Sequence, residues 1–240
     1  MSFELWYYVG MRNVAIFDID GTIFRSSLLI ELVEVLIEEK IFPISVRADY
    51  TREKVRWLDR KGDYDSYISA VVKVFVKNIK GVSYKDFNRS ANIVVERYRN
   101  RTYRMTTDLI AELKRKKYFI LAISQSPKGI LDLFCKEFGF DKVYGRFYEL
   151  GPTDCFTGRV EDEHLIENKA AILRRAVEKE GLTLEASVGV GDTESDIPFL
   201  ELVENPICFN PNMKLYRHAK RNGWQIVVER KDVIYDFNSK

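Results

Sequence analysis

The fold this sequence predicts is a doubly wound, parallel, Rossmann-like α/β sheet with a four-helix cap subdomain inserted after the first strand. Three observations predict it. Short apolar runs rich in β-branched and aromatic residues recur along the chain, the pattern of strands buried on both faces of a parallel sheet. Amphipathic helical patterns separate most of them, and strand–helix alternation of this kind builds a doubly wound sheet. After the first run, however, roughly 80 residues carry helical periodicity and almost no strand signal, too long a stretch for an ordinary connection.

The elements follow in chain order. Residues 1–10, MSFELWYYVG, read as a short extension, or translation begins at Met11, directly before the first strand, NVAIFDI (13–19). The cap spans 24–104. Its helices are expected at 27–40, 45–61 and 64–80, the third with Asp63 as N-cap and Gly81 as its stop, and a fourth opens at Ser83 with Asp86 in a capping-box-like start. Four helices with apolar faces can bury those faces on one another. The α/β core comprises 1–23 and 105–240. It resumes with a helix at 106–117, whose KRKK end suits the helix dipole, and a strand at 118–124. The next helix, 127–139, has Pro127 at its first position and Ser126 as N-cap. Residues 143–160 read as a β-hairpin around GPTD. A helix at 167–181, strands at 186–192 and 206–210, a helix at 212–223 and a strand at 224–228 complete the core.

Composition narrows the class. With 46% hydrophobic and 31% charged residues in 240, the chain is neither disordered nor collagen-like nor a disulfide miniprotein. A formal charge of +2 gives no global field to recruit nucleic acid or an anionic membrane, so an anionic ligand must be caught locally. Cys135, Cys155 and Cys208 are odd in number and lack metal-ligand spacing, as expected in a reducing compartment. No apolar run reaches the ~18 residues of a membrane span. The expectation is a soluble, cytoplasmic protein. His164 and His218 are isolated and read as structural or surface residues.

Chemistry concentrates at four places, each at or beyond a strand's carboxyl end, where open α/β sheets bind ligands. The first strand delivers Asp18 and Asp20, whose spacing of two would put both carboxylates on one side of a continued extended backbone, followed by Gly21 and Thr22. The second strand ends at Ser124, followed by Gln125, against the free N–H groups of a helix start, a general anion site. Lys169 sits early in the helix after the hairpin, where the helix dipole disfavours a cation. GVGDTESD (189–196) brings Asp192 and, four residues on, Asp196 to one side of a helical turn. Four acids in one crevice demand a divalent cation, and hard oxygen ligands favour Mg²⁺.

FDIDGTIF, AISQSP, Lys169 and GDTESD, in that order, resemble the four motifs of the haloacid dehalogenase-like hydrolase superfamily. The insertion after the first motif resembles the cap of its phosphoserine phosphatase-like branch (subfamily IB), and the hairpin stands where other members carry a second type of cap. The resemblance implies an Mg²⁺-dependent phosphatase acting on a small phosphorylated metabolite. It makes Asp18 the nucleophile that forms an aspartyl-phosphate and Asp20 the general acid–base. By the same resemblance Asp18, the Asp20 backbone carbonyl and Asp192 would hold the metal with Asp196 behind them, while Gly21, Thr22, Ser124, Gln125 and Lys169 would bind phosphate. Phosphotransfer to an alcohol and a non-catalytic Mg²⁺-phosphate-binding protein are the alternatives. Phosphoserine phosphatases carry a Glu nine residues beyond the nucleophile; Ser27 stands there, which disfavours phosphoserine. Gln125 and Ser126 replace a Gly-Gly pair, and Ser195 replaces an Asn. Arg25 and Ser27, at the base of the first cap helix, and Arg47, Arg52 and Arg56, on one side of the second, are the candidates for contacting the leaving group.

Overall fold

The computed structural model describes residues 11–161 and 168–237; the proposed N-terminal extension and His164 lie outside them. The core is an eight-stranded sheet in the order β4, β3, β2, β1, β5, β6, β7, β8. Its strands are β1 (Arg12–Phe17), β2 (Phe119–Pro127), β3 (Lys142–Leu150), β4 (Phe156–Glu161), β5 (Leu182–Gly191), β6 (Asn205–Phe209), β7 (Gln225–Arg230) and β8 (Val233–Asp236). All pairings are parallel except β3 with β4 and β7 with β8. From β1 the chain builds outward through β2, β3 and β4, then returns to lay β5 on the other side of β1. That reversal opens a crevice at the carboxyl ends of β1 and β5.

β1 shows why the sheet is buried on both sides. Ala15 and Phe17 join one apolar cluster and Val14 and Ile16 the other, as alternation across a strand requires. The first cluster runs on without a break into the inserted helices, α1 (Leu28–Glu38), α2 (Ala48–Leu58), α3 (Tyr64–Ile79) and α4 (Tyr84–Tyr98). α1 buries Leu28, Leu29, Leu32, Val33 and Leu36 among them, each worth ~1.5–3 kcal/mol. Asp63 caps α3 by accepting from Ser66 N, and Ser83 caps α4 by accepting from Asp86 N, as the sequence predicts. The second cap helix is shorter than 45–61: residues Ile44–Arg47 form a 3₁₀ turn behind Pro43, and the α-helix begins at Ala48.

The core helices are α5 (Arg104–Arg115), α6 (Lys128–Phe138), α7 (Lys169–Glu180), α8 (Ile197–Leu200) and α9 (Met213–Asn222). One expectation fails at α6. β2 stays extended through Pro127, which takes the cap position, and Ser126 makes no capping hydrogen bond; its hydroxyl is used in the site instead. The hairpin fastens the cap. Gly81 N donates to Phe156 O (2.8 Å), Phe156 N to Val82 O (2.9 Å) and Tyr84 N to Asp154 O (2.7 Å), while Phe75 of α3 meets Tyr148 of β3 edge-on at 5.1 Å. Among the described residues no helix is long and apolar enough to cross a membrane.

Candidate active site

Asp18 is the first residue past β1, and its backbone N–H still donates to Val190 O of β5. This holds the carboxylate at the switch point, almost fully buried. Lys169, the first residue of α7, reaches it there: Nζ lies 2.6 Å from Asp18 and 2.5 Å from Asp196. The burial of this cation explains its unfavourable place at a helix start, because two carboxylates surround it. Burial opposes the charge on Lys169, but Asp18 and Asp196 outweigh it and push its pKa up. Burial pushes the Asp18 pKa up as well, to about 8; Lys169 lowers it, and the nearby Asp196 and Asp20 add to the rise.

Asp20 points elsewhere. Its carboxylate accepts from Leu28 N at the start of α1 (2.6 Å), from Ser124 Oγ (3.0 Å) and from Ser126 Oγ (2.6 Å). The two acids therefore diverge rather than share one side, because the chain turns after Asp18. Burial raises the Asp20 pKa, and the hydrogen bonds from Ser126, Leu28 and Ser124 only partly offset it. A carboxyl held up in this way is suited to giving and taking a proton. Ser126 is the residue that sequence reasoning misplaced: a helix N-cap and a carboxylate partner look alike in a Ser-Pro pair.

The fourth segment is built by its own turn. Asp196 Oδ2 accepts from Asp192 N (3.0 Å) and Thr193 N (3.1 Å), so its spacing of four does return it beneath Asp192. Both Asp196 oxygens are then engaged, one with backbone and one with Lys169. Gly21 has φ +84°, and a Cβ there would collide with the Asp192 carboxylate. Thr22 is fully buried and its hydroxyl donates to Asp192 at 3.4 Å. Gly21 and Thr22 thus back Asp192: Thr22 sits behind the cleft wall, and Gly21 opens with Asp192 onto an adjoining groove.

Carboxylate oxygens of Asp18, Asp192 and Asp196 lie within 4.8 Å of one another. Burial, then the charges of Asp18 and Asp196, push the Asp192 pKa well up. Three crowded carboxylates facing one lysine fit a divalent cation, and the all-oxygen donor set fits Mg²⁺.

These residues open into a cleft of about 530 Å³ between core and cap. Asp18, Asp20, Ser124, Gln125, Lys169 and Asp192 line it from the core, and Ser27 from the base of α1. The cap arginines do not. Arg25 lies over the Tyr103 ring at 5.5 Å and lines the adjoining groove, which shares Tyr64, Asp65, Asp192 and Thr193 with the cleft. Arg47 is tied to Glu34 of α1 (2.9 Å). Arg52 and Arg56 pair with Glu53 near the surface. Arg47 turns to α1, Arg52 to solvent, and Arg56 to a groove against α3 that it lines with Asp65, Ser69 and Lys73. The cleft's cap wall is instead the first face of α3, including Tyr64, Ile68 and Lys73, with Arg146 and Tyr148 of β3 beside it. Arg146 lay hidden because which side of a hairpin faces the cap depends on strand register.

Residues 15–201 match the family described as haloacid dehalogenase-like hydrolase. A Neisseria meningitidis serogroup C (strain 8013) protein named histidinol-phosphatase is 25% identical over 90% of this chain and 99% of its own length. The "inhibition of morphological differentiation protein" of Streptomyces azureus is 24% identical over 90% and 78%. In structure the chain is similar to a protein of unknown function from Bordetella pertussis Tohama I, with a TM-score of 0.71 and 18% identity over 90% of this chain and 98% of that one. It is also similar to a phosphoserine phosphatase solved as a phospho-aspartyl intermediate analogue, with a TM-score of 0.60 and 21% identity over 92% and 95%. The structural likenesses bear on the fold and the sequence match on ancestry; this chain belongs to the haloacid dehalogenase-like hydrolase family.

Proposed function

We propose that this protein is a Mg²⁺-dependent phosphatase that hydrolyses a small phosphomonoester through an aspartyl-phosphate on Asp18. The observation that carries the reading is the division of labour between the two acids beyond β1. Asp18 faces Lys169 and the acidic cluster, whereas Asp20 is held apart by Ser124, Ser126 and the Leu28 N–H. One carboxylate is placed to be a nucleophile and the other to carry a proton.

An Asp18 oxygen attacks phosphorus and the bond to the leaving oxygen breaks, with Asp20 delivering the proton that the departing alkoxide needs. Asp20, now ionised, takes a proton from a water that attacks the same phosphorus, and Asp18 is released with inorganic phosphate. Lys169 offsets the charge of Asp18 and meets phosphoryl oxygens together with Ser124 and Gln125. Asp18 and Asp192, with the Asp20 backbone carbonyl, would hold Mg²⁺, and Asp196 fixes the turn behind them. When bound, the ion supplies neutralisation of charge on the transferring phosphoryl oxygens. The three cysteines are unpaired, which supports a cytoplasmic location. The division into a core of 1–23 and 105–240 and a cap of 24–104 is part of the same reading.

The test is hydrolysis of p-nitrophenyl phosphate with Mg²⁺ and with EDTA. Turnover that EDTA abolishes and Mg²⁺ restores is expected; no turnover under either condition rejects the reading. Product analysis with added glycerol separates hydrolysis from phosphotransfer.

A further inference from the structure

The cleft has two electrically different ends. α3 crosses it with Tyr64, Asp65, Ile68, Ser69, Val72 and Lys73, one face of a helix at i, i+1, i+4, i+5, i+8 and i+9. Asp65 lies at one end of that face and shares its surroundings with Glu194. Lys73 comes eight residues later, ~12 Å along the axis. At that second end stands Arg146. Arg146 and Tyr148 are two apart on β3 and so share a face. Tyr148 packs on Phe75 of α3, which brings Arg146 under the Lys73 end of the helix. Arg146 pairs in register with Pro127, one residue past Ser126, is only 9% exposed, and lines the cleft with Asp20 and Gln125. Besides Lys169, Arg146 and Lys73 are the cations of this wall among the described residues. Between this end and Asp20 lies the space for a leaving group, bordered by Leu29, Ile68 and Val72.

We infer that Arg146, assisted by Lys73, selects phosphomonoesters whose leaving group carries a second oxyanion. This rests on the phosphatase reading and adds the substrate class to it. A guanidinium offers paired N–H donors that match the two oxygens of a carboxylate or phosphate, and a largely buried one does so with little screening. The role that sequence spacing gave to the cap arginines passes to a hairpin arginine and a lysine of α3.

Two matched pairs of substrates test it: 3-(phosphonooxy)propanoate against propyl phosphate, and propane-1,3-diol bisphosphate against 3-hydroxypropyl phosphate. In at least one pair the wild type should favour the doubly anionic member by ~10- to 100-fold in kcat/KM, the range expected of a charge-assisted contact; the pair that shows it tells carboxylate from phosphate. Arg146→Gln should shrink that ratio about tenfold or more, chiefly through KM, and Lys73→Gln should shrink it less. Equal activity on both members of both pairs, or equal losses on them in Arg146→Gln, overturns the inference. Should Arg146→Gln fail to fold by circular dichroism, the wild-type ratio and the exposed Lys73→Gln variant decide. Wild-type turnover of p-nitrophenyl phosphate is measured alongside. An active enzyme without oxyanion preference overturns this inference alone, and an inactive one overturns the phosphatase reading with it.

Discussion

At the core end of the cleft, charged side chains are buried and matched to one another: Lys169 lies between Asp18 and Asp196, and Asp20 accepts three hydrogen bonds. At the cap, the charges of α2 stand in solvent and pair loosely, as Arg52 and Arg56 do with Glu53 at 3.8 and 3.9 Å. The same residue types therefore have different consequences. In the core, low dielectric makes each charge depend on its neighbours, and pKa values move far. On α2, water screens each charge, and losing one changes little.

If the contrast is sound, the largest effects come from the two acids beyond β1. Asp18→Asn should lower turnover by ~10⁴-fold or more, as expected for loss of a nucleophile, with circular dichroism unchanged because the amide is nearly isosteric. Near-wild-type rates in a folded Asp18→Asn protein would remove Asp18 from the chemistry. Asp20→Asn should cost ~10²–10⁴-fold on alkyl phosphates and distinctly less on p-nitrophenyl phosphate, whose leaving group needs little protonation. Losses of the same size on both substrates would count against Asp20 as the proton donor.

Lys169 sharpens the comparison in stability. Lys169→Met leaves two buried carboxylates without their cation, and removing one partner from a buried ion pair costs ~3–5 kcal/mol. Urea unfolding should register that loss, and Mg²⁺ should recover part of it. A change below about 1 kcal/mol would mean that the buried cluster is no more dependent on its partners than the surface of α2.

The acidic cluster also sets a pH dependence. Asp18 is held at about 8 against an ordinary 3.8. Between those values the unfolded chain has released a proton that the fold retains, so this group withdraws stability as pH rises. Asp192 acts in the same direction. In EDTA the urea midpoint should therefore fall between pH 5 and pH 8, and Mg²⁺ should raise it more at pH 8, where less proton has to be displaced. Asp18→Asn should flatten the slope in EDTA. A midpoint that rises with pH in EDTA and ignores Mg²⁺ would contradict the cation reading.

What the sequence made legible follows the same division. β1, β2, β5, β6 and β7 are marked by apolar runs because both sheet faces are buried, and the residues at their ends inherit fixed positions. Asp18, Asp20, Ser124 and Asp192 meet in one cleft for that reason. Lys169 could be singled out only weakly by its place on a helix, since its acidic partners come from distant segments. β8 left no pattern, being short and exposed along its whole length. The arginine faces of α2 were readable as faces, but what a face meets is decided by tertiary packing: Tyr50 is the buried residue of α2, and its hydroxyl donates to Glu34, turning Arg47 to the same acid. Arg146 required the hairpin register, the Tyr148–Phe75 contact and the backbone bridge from Gly81–Tyr84 to β4, none of which local sequence encodes.

The smallest expected effect belongs to that α1–α2 contact. Burial alone would raise the Glu34 pKa, but hydrogen bonds from Tyr50 and Arg47 and the charge of Lys54 outweigh it and hold the carboxyl below its ordinary 4.5. A carboxyl lowered by folding contributes stability that is present above its unfolded value and lost as pH falls through the folded one. Arg47 and Glu34 are both partly exposed, so the discounted value of their pair is ~0–1 kcal/mol. Arg47→Ala should accordingly lower the urea stability by no more than that at pH 7. The difference from wild type should fade as pH drops well below 4.5 and Glu34 is protonated in both proteins. Because Arg47 is tied to α1 and does not line the cleft, kcat/KM for the doubly anionic substrates should stay within about twofold of wild type, a spread that corresponds to well under 1 kcal/mol. A tenfold rise in KM on those substrates would restore the cap arginines as the leaving-group contact and erase the difference between the two ends of the molecule.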